Sequence, residues 1–223
     1  MATALDFAKV FIKKKLDTNP DTFDGNMKIQ KLLVFANLIS LAENGAPLFS
    51  DPIYAFTNGC VVEDVRLRYR NDYYGLKHES DLFEPKFTQE HNNVIDLTVR
   101  IFGDVPAKEL SELNHSFEFW KRAWKRSGDI TGFKNKERSL VSTDEMLAEI
   151  DRIKLVVETA KRNILEENLI EKSHKEVING ITFYYSSDLE MTDDVLEYLE
   201  GFSKNADDSV YTMYMDDGNL VIY

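Results

Sequence analysis

The sequence predicts a mainly α protein: a helical domain over residues 1–139, a long connecting helix over 140–179, and a small acidic α+β appendage over 180–223 in the order β-α-β-β. Three observations carry this expectation. Apolar residues recur at helical spacing through most of the first 165 positions. Strand-forming runs with a hairpin signal occupy the last 43 residues, beginning at Ile181. The net charge of −12 is also segregated. Residues 141–223 hold 19 acidic and 7 basic side chains, so that stretch carries the whole imbalance and residues 1–140 are balanced.

Taken in order, Leu5, Ala8, Val10, Phe11, Ile12 and Leu16 predict a first helix, with Lys13–Lys15 at its cation-favouring C-terminus and Asn19-Pro20-Asp21 as its break. Met27 to Glu43 is apolar around most of its circumference, which predicts a central helix rather than a surface one. Asn44-Gly45 stops it, and Pro47 and Pro52 keep Ala46 to Ile53 extended. Asn58-Gly59 reads as a turn and Val61 to Arg70 as a short helix with Val61, Val65 and Tyr69 on one face. Asn71 to Lys86 shows no period and reads as a loop. Helices are expected over Thr88 to Phe102, after Pro106, and around Trp120 and Trp124, which share a face at four-residue spacing. Ser127 to Ser139 reads as a loop and domain boundary. Ser142 and Glu145 have capping-box spacing at the head of the long helix, whose stripe runs Met146, Ile150, Ile153, Val157, Ala160, Ile164 and Leu165. In the appendage, Ile181–Tyr185 reads as a strand and Thr192–Phe202 as a helix. Val210–Met215 and Leu220–Tyr223 flank Asp216-Asp217-Gly218-Asn219 as a hairpin.

The chemistry-bearing residues form no enzyme signature. No Gly-x-Ser-x-Gly turn frames a serine, the ten glycines make no phosphate loop, and His78, His91, His115 and His174 lack metal-ligand spacing. No cofactor is expected. Cys60, the single cysteine, reads as a small buried apolar side chain. His115 sits at a polar centre in an aromatic cluster; it reads as a residue holding backbone in place, with general-base chemistry as the alternative. Asp193-Asp194 and Asp207-Asp208 read as helix-start and loop residues. No run approaches the roughly 20 apolar residues of a membrane span, and the first 15 residues lack the order of a secretory signal, so a cytoplasmic protein with no membrane association is expected. The acidic last third would repel phosphate backbones and attract a basic protein. Arg66, Arg68 and Arg70 are one example of a local basic patch that nucleic acid would favour.

Four blocks, in order over residues 27–126, resemble the Panacea domain of antitoxins. Met27-Lys-Ile-Gln-Lys-Leu-Leu-Val-Phe-Ala36 is similar to its opening helix, bringing Lys31 and Leu32. Gly45-Ala-Pro-Leu-Phe49 with Asp51-Pro-Ile-Tyr-Ala-Phe56 is similar to its Gly-x-Pro-Leu-Phe segment, bringing Gly45, Pro47 and Leu48. Asn58-Gly-Cys-Val-Val62 resembles its Gly-Pro-Val-Val turn, bringing Gly59 and Val61. Leu110-Ser-Glu-Leu-Asn-His-Ser-Phe-Glu-Phe-Trp120 looks like its His-containing signature, bringing His115 and Trp120. Cys60, Asn114 and Phe119 depart from the family's proline, threonine and proline, and Phe56 stands where tryptophan is common.

The resemblance implies a bacterial or prophage antitoxin, not an enzyme, that neutralises a cognate protein toxin by direct binding. The family's toxins include alarmone-synthetase-like enzymes that modify tRNA. Proteolytic adaptors, which deliver a toxin to a protease, are the alternative within the family. The matched residues are expected to be structural. Asp193, Asp194, Asp207, Asp208, Asp216 and Asp217 are the expected toxin contacts, because a toxin that acts on tRNA presents a basic groove; the rival reading is that this acidity only confers solubility. Homo-oligomerisation stays open.

Overall fold

The computed structural model describes residues 2–128, 134–171, 173–186, 189–216 and 219–223, with the side chains of 165–173 set aside. The protein is mostly helical with two small sheets, and it divides into two compact units, residues 1–160 and 161–223.

The first unit is organised on one helix. Helix α1 (Ala4–Lys13) opens on a Thr3/Asp6 capping box and buries Ala4, Phe7, Ala8, Phe11 and Ile12. Helix α2 (Phe23–Asn44) starts four residues earlier than its apolar run, because Thr22 caps it by accepting from Gly25 N at 3.1 Å. It ends on Gly45, whose φ of 68° gives the left-handed cap that glycine favours. Its residues from Gly25 to Leu41 are buried except Met27, as expected of a central helix.

Around it lie α3 (Glu63–Asn71), α4 (Tyr73–Leu82), α5 (Gln89–Phe102), α6 (Ala107–His115) and α7 (Glu118–Ser127). Thr88 and His91 form the capping box of α5. Helix α4 occupies the stretch expected as a loop. Asp72 caps it by accepting from Gly75 N at 3.0 Å, and Tyr73, Leu76 and Ser80 face inward at helical spacing. Buried Asp17 accepts from the Tyr69 and Tyr73 hydroxyls at 3.0 and 2.8 Å and fixes α3 and α4 together. That tertiary tie outweighs the weak local helix signal.

Strands β1 (Ile53–Phe56), β2 (Gly59–Val62) and β3 (Leu140–Val141) form an antiparallel sheet in the order β2-β1-β3. Val61 and Val62 therefore belong to a strand and not to the expected helix over 61–70. In the expected loop after Ser127, Glu137–Ser139 forms a 3-10 turn, while residues 129–133 lie outside the described residues.

The long helix expected over 140–179 is interrupted and shorter. Helix α8 (Thr143–Leu147) carries the Ser142/Glu145 capping box, and α9 (Ile150–Glu171) follows. The interruption frees Glu149, whose carboxylate accepts from Phe119 N at 2.8 Å and caps the start of α7. Met146, Ile150, Ile153 and Val157 are buried; the Leu165 side chain lies outside the described set.

In the second unit the stretch just before Asn179 is strand β4 (Ser173–Ile178), not helix. It pairs with β5 (Ile181–Ser186) across Asn179-Gly180, whose φ values of 52° and 84° make the turn that right-twisted hairpins require. Helix α10 (Asp193–Ser203) then leads to β6 (Val210–Asp216), parallel to β5, and β7 (Asn219–Ile222) pairs antiparallel with β6. The order is β-β-α-β-β, one strand more than expected. Ile181, Phe183, Leu189, Leu199 and Met213 form its core.

Candidate functional site

The polar side chains of α2 are its least expected feature and they organise the domain. Asn26 Nδ2 donates to Arg66 O on α3 at 2.9 Å. Lys28 Nζ donates to Gly103 O at 2.9 Å and to Val105 O, so it caps the end of α5. Asn37 Oδ1 accepts from Leu48 N and Ser40 Oγ donates to Ala46 O, both at 2.9 Å. These two bonds seat the segment that carries Gly45, Pro47 and Leu48. Leu32 is fully buried on the same helix.

The remaining bonds converge on the β1–β2 hairpin. Its backbone is gripped from three helices. Gln30 Oε1 accepts from Val62 N at 2.9 Å, and Lys31 Nζ donates to Cys60 O at 2.8 Å, both from α2. From α6, Ser111 Oγ donates to Asn58 O at 2.9 Å and Asn114 Oδ1 accepts from Cys60 N at 2.6 Å. From α7, Trp120 Nε1 donates to Phe56 O at 3.0 Å, while its ring lies against His115 with centroids 4.1 Å apart. Gly59 has φ of 90°, and a Cβ there would stand 2.6 Å from Asn114 Oδ1 and 2.9 Å from Lys31 Nζ. Lys31, Gly59, Val61, His115 and Trp120 thus meet in space although they lie as far as 89 positions apart in the chain.

The electrostatics of this clamp are those of burial. Lys31 is fully enclosed, and burial lowers its pKa to about 8; the Cys60 thiol beside it opposes the shift. Burial pushes Cys60 up to about 12, which keeps it a thiol and makes it a poor nucleophile. Burial and the neighbouring Lys31 hold His115 below the usual histidine value. No acceptor or donor among the described residues meets His115 Nε2 or Asn114 Nδ2. Cys60 and His115 therefore sit in a hydrogen-bonded turn rather than in a nucleophile–base–acid arrangement. Among the described residues no three His, Cys, Asp or Glu side chains stand close enough to hold a metal ion, and no helix is long and apolar enough to cross a membrane.

The clamped turn forms one wall of a cavity of about 580 Å³ in the first unit. Phe23, Phe56, Tyr69 and Trp124 contribute rings to its lining, Lys31 and Gln30 stand at its polar side, and Arg66, Arg70, Lys134 and Lys136 contribute cations. The arginines of α3 separate: Arg68 turns away into ion pairs with Asp72 and Glu79, so Arg66, Arg68 and Arg70 do not form a single basic patch.

The acidic residues expected to contact a partner lie elsewhere, in the second unit. Asp193 and Asp194 occupy the first turn of α10, Asp207 and Asp208 precede β6, and Asp216 ends β6; all five are exposed. Asp217 lies outside the described residues. The cavity was the feature that sequence reasoning missed. Its one advance signal was the set of polar residues embedded in the apolar run of α2.

This arrangement coincides with a known module. Residues 29–121 match the family model described as Antitoxin SocA-like, Panacea domain. Over that span the chain is similar to the Panacea domain. All the clamp residues fall within the matched span, and the match ends one residue past Trp120. No curated protein and no solved structure matches the chain.

Proposed function

We propose that this chain is a non-enzymatic antitoxin that neutralises a cognate protein toxin by binding it directly in the cytoplasm. The Panacea match over residues 29–121 is the observation that carries this reading. The clamp supports it: side chains that would suggest chemistry in isolation are engaged in fixing a backbone turn, which suits a binding scaffold better than a reaction centre. Co-expression with the product of the adjacent gene tests it. The expected result is restored growth, a stable complex and undiminished toxin levels. Absence of both rescue and complex would overturn the reading, and a fall in toxin level would replace it with the proteolytic adaptor.

The second part of the proposal concerns the toxin's chemistry. An alarmone-synthetase-like toxin that modifies tRNA needs a basic groove, and the exposed Asp193, Asp194, Asp207, Asp208 and Asp216 are suited to occupy one. Replacing all five by Asn in the full chain is expected to weaken the complex, with a smaller loss at high salt. An unchanged complex would leave the antitoxin reading standing and remove the groove-blocking idea. Deletion is a poorer test. A cut after Ser139 would strip β3 and the buried residues Met146, Ile150, Ile153 and Val157 from the first unit.

A further inference from the structure

We propose that the cavity beside the clamped turn is a docking pocket for an acidic segment of the partner toxin that inserts an aromatic side chain. The inference rests on the antitoxin reading and specifies the partner's chemistry at a site distinct from the acidic unit. Three observations carry it.

The first is the nature of the walls. Phe56 and Trp124 are half-buried and Phe23 is 67% exposed, so rings face an open space of about 580 Å³. That is within the roughly 300–1,000 Å³ of pockets that enclose an organic group, and aromatic residues are the usual anchors at such places. The second is the sign of the charge. Arg66, Arg70, Lys134 and Lys136 line the cavity together with one carboxylate, Asp21. Glu63, just outside, pairs with both Lys136 and Arg66, and four cations still outnumber two anions. An acidic segment is matched to that excess and a basic one is repelled.

The third is preorganisation. Lys134 Nζ lies 3.9 Å from the centroid of the Trp124 ring, Arg66 is 5.5 Å from that of Phe56, and Lys136 Nζ is 4.9 Å from that of Tyr54. Long cationic side chains normally lose rotamer freedom on binding, and cations already laid on rings have lost part of it. The clamp does the same for the wall, since Phe56 and Asn58 are each held through their backbone oxygens.

Isothermal calorimetry on the full chain at low salt tests the pocket with synthetic peptides. The probe is Gly-Asp-Glu-Trp-Glu-Asp-Gly, compared with the same peptide carrying Ala for Trp and with Gly-Lys-Arg-Trp-Arg-Lys-Gly. The expected result is one-to-one binding of the acidic tryptophan peptide, at least tenfold tighter than either comparison. The double variant Arg70→Glu/Lys134→Glu, at two exposed positions, is expected to weaken it at least tenfold beyond any change in folded fraction, since Lys134 Nζ also donates to Trp124 O at 3.0 Å. No binding of the probe, equal binding of the alanine or basic peptide, or unchanged binding by the double variant would each overturn the pocket. The same double variant in the co-expression assay separates the two readings. A toxin that is neutralised by wild type and equally by the variant removes the pocket and keeps the antitoxin. Peptide binding without rescue of any toxin keeps the pocket and removes the antitoxin.

Discussion

Among the described residues, every buried polar or charged side chain lies between Asp17 and Ser139, and the second unit buries none. The first unit is an apolar core pierced by amides, hydroxyls, the Asp17 carboxylate and two ammonium groups. The amides, the ammonium groups, Ser40 and Ser111 bond the backbone of a neighbouring segment, while Ser80, Thr98, Ser127 and Ser139 bond a carbonyl of their own helical turn. The second is a sheet and helix closed over five buried apolar residues. Apolar packing sets compactness, but it tolerates shifts of register and angle. A buried polar group is costly unless its one partner is in place, so it admits fewer arrangements. The comparison teaches where shape is specified most sharply: at the β1–β2 turn, which has the highest density of such bonds and which walls the cavity.

The largest expected effect breaks the second unit alone. Phe183 is fully buried and meets the rings of Phe202 and Tyr211. Phe183→Ala is expected to cost about 3–5 kcal/mol, which a 63-residue unit with so small a core does not have in reserve. Urea denaturation followed by circular dichroism would show loss of one transition while that of the first unit persists. Loss of both together would mean that the units are one cooperative body. Gly59→Ala should do the reverse. Its positive φ and the 2.6 Å approach to Asn114 Oδ1 set strain of about 3 kcal/mol against the clamp. The midpoint of the first transition should fall and that of the second should hold.

These two sites also show what the sequence made legible. The helical core was readable because period-3.6 patterning in α1, α2 and α5 agrees with caps at Thr88 and Gly45. Helix α4 was not, since the Asp17 carboxylate that fixes Tyr73 sits 56 residues away. Strand β4 was misread for a different reason. Asn179-Gly180 stops a helix and also turns a hairpin, and the alternation of His174 to Ile178 was too short to decide between them. At the candidate site, His115 and Trp120 stood out as types, but the partner of Trp120 Nε1 is a carbonyl oxygen, which no side-chain pattern announces. The cavity needed three separate helices and a hairpin to exist.

A smaller change sharpens the account of the clamp. Trp120→Phe keeps most of the ring and removes only the Nε1 donor to Phe56 O. Leaving a partly buried carbonyl without its donor is expected to cost about 2 kcal/mol. Stability loss with peptide affinity unchanged would mean that the turn is held redundantly. Loss of affinity beyond the change in folded fraction would tie the clamp to the pocket.

The smallest effect is a pH profile, and its sign distinguishes the units. The Lys31 pKa falls on folding from 10.5 to about 8, so between those values the unfolded chain binds more protons and stability rises with pH. The Cys60 pKa rises on folding from 9.0 to about 12, so from 9 upward the folded chain binds more protons and stability falls. From pH 8 to 9 the lysine dominates, and the first transition should gain about 0.6 kcal/mol, because folded Lys31 is still half protonated at pH 8 and the unfolded thiol begins to ionise before pH 9. From 9 to about 10.5 the two groups offset each other. Above that the thiol acts alone among the pair, joined by Tyr69 and Tyr73, whose pKa values burial raises. Lys31→Met should abolish the rise, and Cys60→Ala should extend it past pH 9. Among its described residues the second unit buries no ionisable side chain, so its transition should stay level from pH 8 to 9. A first transition that weakens over that interval would mean that Lys31 is reached by water, and the turn it grips would then be looser than the bonds to Cys60 and Phe56 imply.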